Sequence, residues 1–169
     1  MRLLLVVMLF AAGPARAGYE DSGFSARAVS MGSAFTAVYD DIAAMAFNPA
    51  ATGQLRHVQV QTNYLRQFHI PAGETDQNQM SLAAGFPVQQ ELIKGTFGLG
   101  WQYNRRQEQV IERSFLLNFG SRGFREFEGG GLELGGTVKG IGVRPKGDVD
   151  VGALYRFWEK YALGLSLLN

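Results

Sequence analysis

The chain of 169 residues has no cysteine, little excess charge of either sign and no long apolar run. The absence of cysteine excludes a secreted domain stapled by disulfides. With 16 Lys and Arg residues against 15 Asp and Glu residues, the composition indicates no nucleic-acid partner. The apolar run at residues 3–12 is too short for a membrane helix, which needs about 20 such residues. A bundle of membrane-spanning helices is therefore excluded.

Side chains that could carry catalysis or bind a metal are also sparse. The two histidines, His57 and His69, have no partner at metal-ligand spacing. Asp148 and Asp150 share one face of a strand, but they supply far fewer oxygens than the roughly six to eight that calcium prefers. Residues 164–168 lack the last glycine of a G-x-S-x-G nucleophile elbow. The sequence therefore predicts no catalytic residue, no metal site, no cofactor and no enzymatic activity.

What the sequence does contain at its start is the pattern of a signal peptide. Arg2 is followed by the apolar run at residues 3–12, and Ala15, Arg16 and Ala17 form a small-x-small cleavage signal. The alternative interpretation is a buried N-terminal strand. We expect cleavage after residue 17, which leaves 14 basic residues against 15 acidic ones. The mature chain would then have a formal charge of −1.

Residues 18–55 form a region of their own, rich in alanine, serine and glycine, in which apolar spacing predicts short helical turns rather than strands. Asp40 and Asp41 are placed to cap one turn, and Asn48 followed by Pro49 predicts the start of another. A region this small cannot hold a core of its own. We therefore expect a compact helical plug that packs on or inside the rest of the chain.

From residue 56 to residue 169 the period changes to two, which predicts about seven β-strands. A soluble β-sandwich shows the same alternation. A membrane β-barrel is favoured by long strands, by uncharged polar faces of Gly, Gln, Asn and Ser, and by aromatic residues toward strand ends. The glycine content, 22 residues, and the 20 aromatic residues agree with this. The residues that we predict to face lipid include Val58, Val60, Phe97, Leu99, Trp101, Leu163 and Leu165.

Seven strands are an odd number, whereas single-chain bacterial barrels have even numbers from about eight upward. An open sheet edge within lipid leaves backbone groups unpaired. We therefore expect this chain to hold part of a larger antiparallel transmembrane barrel. The rival is a barrel shared between several chains.

Residues 25–41, ending in Tyr39-Asp40-Asp41, and residues 47–51, Phe-Asn-Pro-Ala-Ala, form a recognisable signature soon after the predicted cleavage site. It resembles the N-terminal signature of PorV/PorQ-like outer-membrane proteins, a group similar to the FadL superfamily of long-chain fatty-acid transporters. The matching positions include Arg27, Met31, Gly32, Phe35, Asp40, Asp41, Asn48 and Pro49. At Ala51-Thr52 the chain departs from the Gly-Leu pair common in the family, which leaves the plug's exit geometry open.

The resemblance implies a barrel of about 14 strands in the outer membrane of a Gram-negative-type bacterium, with residues 18–55 as its plug. In transporter members such a plug gates the lumen for hydrophobic molecules, and PorV-like members receive cargo domains in type IX secretion. The expected partners are outer-membrane lipid and either a hydrophobic solute or a secreted protein. A soluble periplasmic β-domain is the third hypothesis. Arg105-Arg106 and residues 122–125 either contact anionic lipid headgroups or are solvated loop charges.

Overall fold

A computed structural model of the chain describes residues 24–67, 77–106, 109–127, 130–140, 147–157 and 161–168. The predicted signal peptide, residues 1–17, lies outside the described residues, as do the first six residues of the predicted plug region, His69 and Asn169. Within the described ranges, no helix is both long and apolar enough to cross a membrane.

The N-terminal segment, residues 24–55, contains three short helices. Helix α1 spans Ala26–Ser30, and two 3₁₀ helices span Ile42–Ala46 and Pro49–Gln54. The Asp41 carboxylate accepts from Ala43 N at 2.8 Å, so the predicted cap at the first 3₁₀ helix is confirmed. The Asn48 side chain likewise caps the second 3₁₀ helix, where Pro49 is the first residue. The predicted helical turns are confirmed, and each is a single short element.

The rest of the chain is all β. Its strands are β1 Gln59–Gln67, β2 Gln77–Gln89, β3 Lys94–Arg106, β4 Gln109–Ser121, β5 Arg125–Phe127, β6 Gly130–Gly140, β7 Asp148–Phe157 and β8 Tyr161–Leu167. Seven of them pair antiparallel in the order β1-β2-β3-β4-β6-β7-β8 and form a curled half-barrel, while the short β5 pairs with β6. The prediction of an antiparallel all-β sheet with about seven strands is therefore confirmed.

The sheet has two faces of opposite character, because side chains alternate along each strand. The inner face, which packs on the N-terminal segment, is largely buried, and the outer face is largely exposed. The hydrophobic core lies between the segment and the inner face. The largest fully buried apolar side chains of the segment are Phe35, Ile42, Met45 and Leu55, and Leu116 and Leu154 belong to the same core from the sheet.

Candidate functional site

A band of glycines crosses the inner face beneath the N-terminal segment. We define this glycine belt as one residue from each of six strands, namely Gly85, Gly98, Gly120, Gly135, Gly152 and Gly164. The register places Gly85 beside Gly98, and Gly135 beside both Gly120 and Gly152. Backbone atoms of the segment lie directly on four of these glycines, Gly120, Gly135, Gly152 and Gly164, while Gly85 and Gly98 face side chains.

Where the segment's backbone lies on the belt, there is no room for a side chain. A Cβ atom added to Gly135 would lie 2.5 Å from Ala50 N and 2.6 Å from Pro49 O. One added to Gly120 would lie 2.5 Å from Gly53 N. Because these neighbours are backbone atoms, a side chain at either position requires the segment to move.

Asn48 fixes the middle of the segment to β7. Its Nδ2 donates to Thr36 O at 2.8 Å and to Ala153 O at 3.0 Å, and its Oδ1 accepts from Ala50 N at 3.1 Å. The side chain is fully buried, so each of these bonds replaces one that water would otherwise make. Asn48 thus joins the segment to itself and to the sheet.

A second group of hydrogen bonds joins the second 3₁₀ helix to β4 and β6. The Thr52 hydroxyl donates to Asn118 Oδ1 at 2.6 Å, and Asn118 Nδ2 donates to Pro49 O at 3.3 Å and to Thr137 Oγ1 at 3.0 Å. The Thr137 hydroxyl in turn lies 3.1 Å from Met45 O. The inward polar side chains of β4 and β6 therefore bind the segment.

On β1, two amide side chains each bind two backbone groups of the segment. Asn63 Oδ1 accepts from Ala26 N at 3.2 Å while its Nδ2 donates to Phe24 O at 3.2 Å. Gln59 Oε1 accepts from Ile42 N at 2.9 Å while its Nε2 donates to Asp40 O at 2.9 Å. In both cases the amide bridges the carbonyl of one residue and the N–H two residues later. This side of the inner face therefore recognises polypeptide backbone.

The end of the segment is held by Arg122, which follows β4. Its Nε donates to Gly53 O at 2.9 Å, and its Nη2 donates to Leu55 O. Partial burial lowers the pKa of the Arg122 guanidinium, and this effect outweighs the nearby Glu133 carboxylate, which raises it. An arginine pKa starts so high that the group stays charged.

The predicted signature residues near the start of the segment also come together. Arg27 donates to both carboxylate oxygens of Asp40, at 2.9 and 3.2 Å, and to Asp41 at 3.3 Å. The hydrogen bond to Asp40 is the main cause that raises the pKa of Arg27. The guanidinium also lies 5.7 Å from the centre of the Phe35 ring, which packs on Phe47. This cluster joins α1 to the first 3₁₀ helix.

Met31 and Gly32 have a different role, at the end of α1. Met31 is the C-cap residue and is exposed. Gly32 adopts φ +63°, a left-handed conformation that favours glycine and turns the chain back toward Phe35. They end the helix and make none of the contacts with the sheet described above.

Two ion pairs lie on the inner face between β6 and β7, one buried and one with a partly exposed arginine. Lys139 Nζ is 2.7 Å from Asp150 Oδ2, and Arg156 Nη2 is 2.9 Å from Glu133 Oε1. They lie on either side of Gly135 and Gly152 along the strands. Asp150 therefore contacts a lysine, and within the described residues no group of three or more His, Cys, Asp or Glu side chains could hold a metal ion.

The outer face carries the residues predicted to face lipid. Their exposed fractions run from 46% for Phe97 to 70% for Val60 and Leu165, with Val58, Leu99 and Leu163 between. Trp101 is half-buried, because its ring stacks on Tyr103 at 6.0 Å. Val58 precedes β1 by one residue. All seven side chains are accessible, and none packs in the core.

One small cavity lies between the N-terminal segment and the sheet. Its volume is about 10 Å³, and it is lined by Phe24, Ala46, Phe47, Gln102, Ser114, Leu116 and Lys139. This is about the space that one water molecule needs. A solute therefore has no ready-made path through this cavity.

Sequence reasoning identified Asn48, Pro49, Arg27 and the aspartates but missed the sheet residues that receive them. The belt, Asn118, Thr137 and Arg122 were not predicted as part of the site. The sequence did contain a signal for the glycine belt, because each of its glycines occupies an inward position of its strand. Comparison of the chain with protein-family models, curated proteins and solved structures gives no match.

Proposed function

We propose that this chain is an outer-membrane β-barrel protein of the PorV/FadL-like type that passes hydrophobic small molecules across the outer membrane of a Gram-negative-type bacterium. In this proposal the N-terminal segment acts as the plug of the barrel. The observation that carries the proposal is the inverted character of the sheet, whose exposed face is apolar and whose buried face is polar.

The outer face supports the membrane part of the proposal. From Met80 to Val88 on β2, and from Phe97 to Tyr103 on β3, every outward residue is apolar or aromatic. Nine tilted strand residues rise about 20–25 Å, close to the roughly 25 Å height of the apolar band of outer-membrane barrels. An exposed apolar surface of this extent indicates contact with lipid or with another protein.

The N-terminal segment supports the transport part. It brings apolar side chains into the half-barrel, and Val29 and Met31 remain exposed on it. Because its other side is seated on the glycine belt, we propose that a hydrophobic solute passes along the exposed side of the segment. Passage between segment and belt would break the buried hydrogen bonds of Asn48 and Asn118.

An uptake assay with a labelled long-chain fatty acid tests this route, with Thr52→Cys/Asn118→Cys as the informative variant. The chain has no cysteine of its own, and the two side chains touch, so an oxidised pair would lock segment to sheet. We expect oxidised and reduced forms to transport equally, while deletion of residues 24–55 alters uptake. Loss of uptake on oxidation alone contradicts the route, and no uptake by any form contradicts transport.

A second candidate is an accessory barrel in type IX protein secretion. It is favoured by Asn63 and Gln59, whose amides already bind polypeptide backbone on the inner face. Binding of a secreted cargo domain to the detergent-solubilised chain, in the absence of fatty-acid uptake, would favour this candidate.

A soluble periplasmic β-domain is the third candidate. The heat-modifiable gel migration typical of folded membrane barrels would contradict it. Full solubility of the chain without detergent would contradict the first two candidates.

A further inference from the structure

Three arginines lie at one end of the outer face, within four consecutive strands of the sheet. Arg66 is near the end of β1, Arg105 is near the end of β3, and Arg113 is near the start of β4. Antiparallel pairing brings these ends together, because Asn78 on β2 pairs with both Arg66 and Arg105. Arg113 pairs with Tyr103, two residues from Arg105. We call these three arginines the basic rim.

Aromatic residues separate the basic rim from the apolar band. Trp101 and Tyr103 stack on β3, and the Arg113 guanidinium lies 5.6 Å from the centre of the Tyr103 ring. On β1, the Tyr64 hydroxyl donates to Asn78 Oδ1 at 2.8 Å. From the band toward the rim, the order is aliphatic, then aromatic, then arginine. This is the order of hydrocarbon, interface and headgroup in a bilayer.

The opposite end of the outer face has aromatic residues without this basic row. The described outward side chains there are aromatic, small or aliphatic, including Phe86, Phe97, Phe119, Tyr155, Phe157 and Tyr161. In addition, none of the described side chains in outward strand positions is acidic. Among the described outward side chains, positive charge is thus concentrated at one end.

We propose that the basic rim binds anionic lipid headgroups through their phosphates, so that this end of the barrel lies at the leaflet richest in them. The inference rests on the proposed membrane function, since it needs the outer face to lie in a bilayer. Guanidinium groups suit the task because they bind phosphate oxygens with two parallel N–H bonds. Adjacent strands are about 4.8 Å apart, so rim arginines on neighbouring strands can share headgroups.

The test is reversible urea unfolding of the whole chain in vesicles of phosphatidylcholine alone and of phosphatidylcholine mixed with phosphatidylglycerol. The measured quantity is the ratio of the folding equilibrium constants in the two vesicles. Arg105→Gln/Arg113→Gln should lower the ratio by roughly fivefold for each arginine. Arg105→Lys/Arg113→Lys should retain most of it, because the charges remain.

The matched control is Arg56→Gln/Lys94→Gln, which removes two exposed cations near the opposite end. A loss confined to the rim variant supports the proposal. Equal losses in both variants, or none in either, overturn it, since the attraction would then be general or absent. Failure of the wild-type chain to insert into either vesicle contradicts the proposed membrane function itself, and the rim with it.

Discussion

Successive residues of the same strands belong to two very different surfaces. On β3, Leu99 is half-exposed on the outer face, while Gly98 and Gly100 on either side lie against Met45 of the segment. On β6, Val138 is exposed between the buried Thr137 and Lys139. In a water-soluble sheet with one open face the apolar row would be the buried one. The difference teaches that the inner face is specialised for one segment of its own chain, while the outer face presents apolar side chains that the described residues leave exposed.

The largest effect is expected when a charged side chain replaces an apolar one on the outer face. Leu99→Arg should destabilise the inserted barrel by about 2–4 kcal/mol, because a guanidinium near the middle of the band must leave water. Loss of heat-modifiable gel migration measures the effect. Leu92→Arg is the control, since Leu92 is 97% exposed in the turn between β2 and β3. Equal tolerance of both variants would show that the outer face lies in water.

The inner face is tested by Gly135→Val. The new side chain would collide with backbone atoms of Pro49 and Ala50, so we expect a loss of about 3 kcal/mol and release of the segment. The measurements are the urea midpoint and proteolysis within residues 24–55. In the neighbouring Gly136→Val, the nearest atom to the new Cβ is Asp150 O at 3.6 Å. The Gly136→Val control should fold normally. Equal protection of the segment from proteolysis in both variants would contradict its packing on Gly135.

A polar contact of the same surface is removed by Asn48→Ala. Thr36 O and Ala153 O would lose a buried donor, and we expect the free energy of unfolding to fall by about 2 kcal/mol. The control is Asn78→Ala. Asn78 is half-exposed, and among the contacts described above its amide accepts one hydrogen bond, from the Tyr64 hydroxyl. Its replacement should lower the free energy of unfolding by less than about 1 kcal/mol. Similar midpoints for the two variants would mean that Asn48 does not hold the segment.

The smallest effect is expected for Arg27→Gln, despite its place in the signature. The side chains of Arg27 and Asp40 are 45% and 63% exposed, so water and salt screen the ion pair. We expect a loss of about 0.5 kcal/mol that disappears at high ionic strength. A loss above about 2 kcal/mol that persists in salt would place Arg27 among the residues that seat the segment.

The two faces of the sheet could be predicted from the sequence because side chains alternate along a strand. The helix caps at Asp41 and Asn48 could also be predicted, because a capping residue and the helix that it caps are adjacent in the sequence. The seat of the segment could not be predicted, because it joins residues distant in the sequence: Asn48 and Ala153 are 105 positions apart. The same limit hid the contact between Lys139 and Asp150, whose carboxylate the sequence analysis weighed only as a calcium ligand. The inward glycines of six strands could be found in the sequence, but the N-terminal segment could not be identified as the part of the chain that packs on them.

The glycine belt also fixes an order of folding. The segment is synthesised first. Asn48 packs on Gly152 and Thr36 on Gly164, and each glycine lies more than a hundred residues after its partner. Contacts this distant form slowly, because a long loop must close before they contribute. Until β7 is paired, Asn48 and Pro49 lack the part of the sheet, at Gly152 and Ala153, that covers them. We therefore expect the newly made chain to need a holding chaperone up to that point.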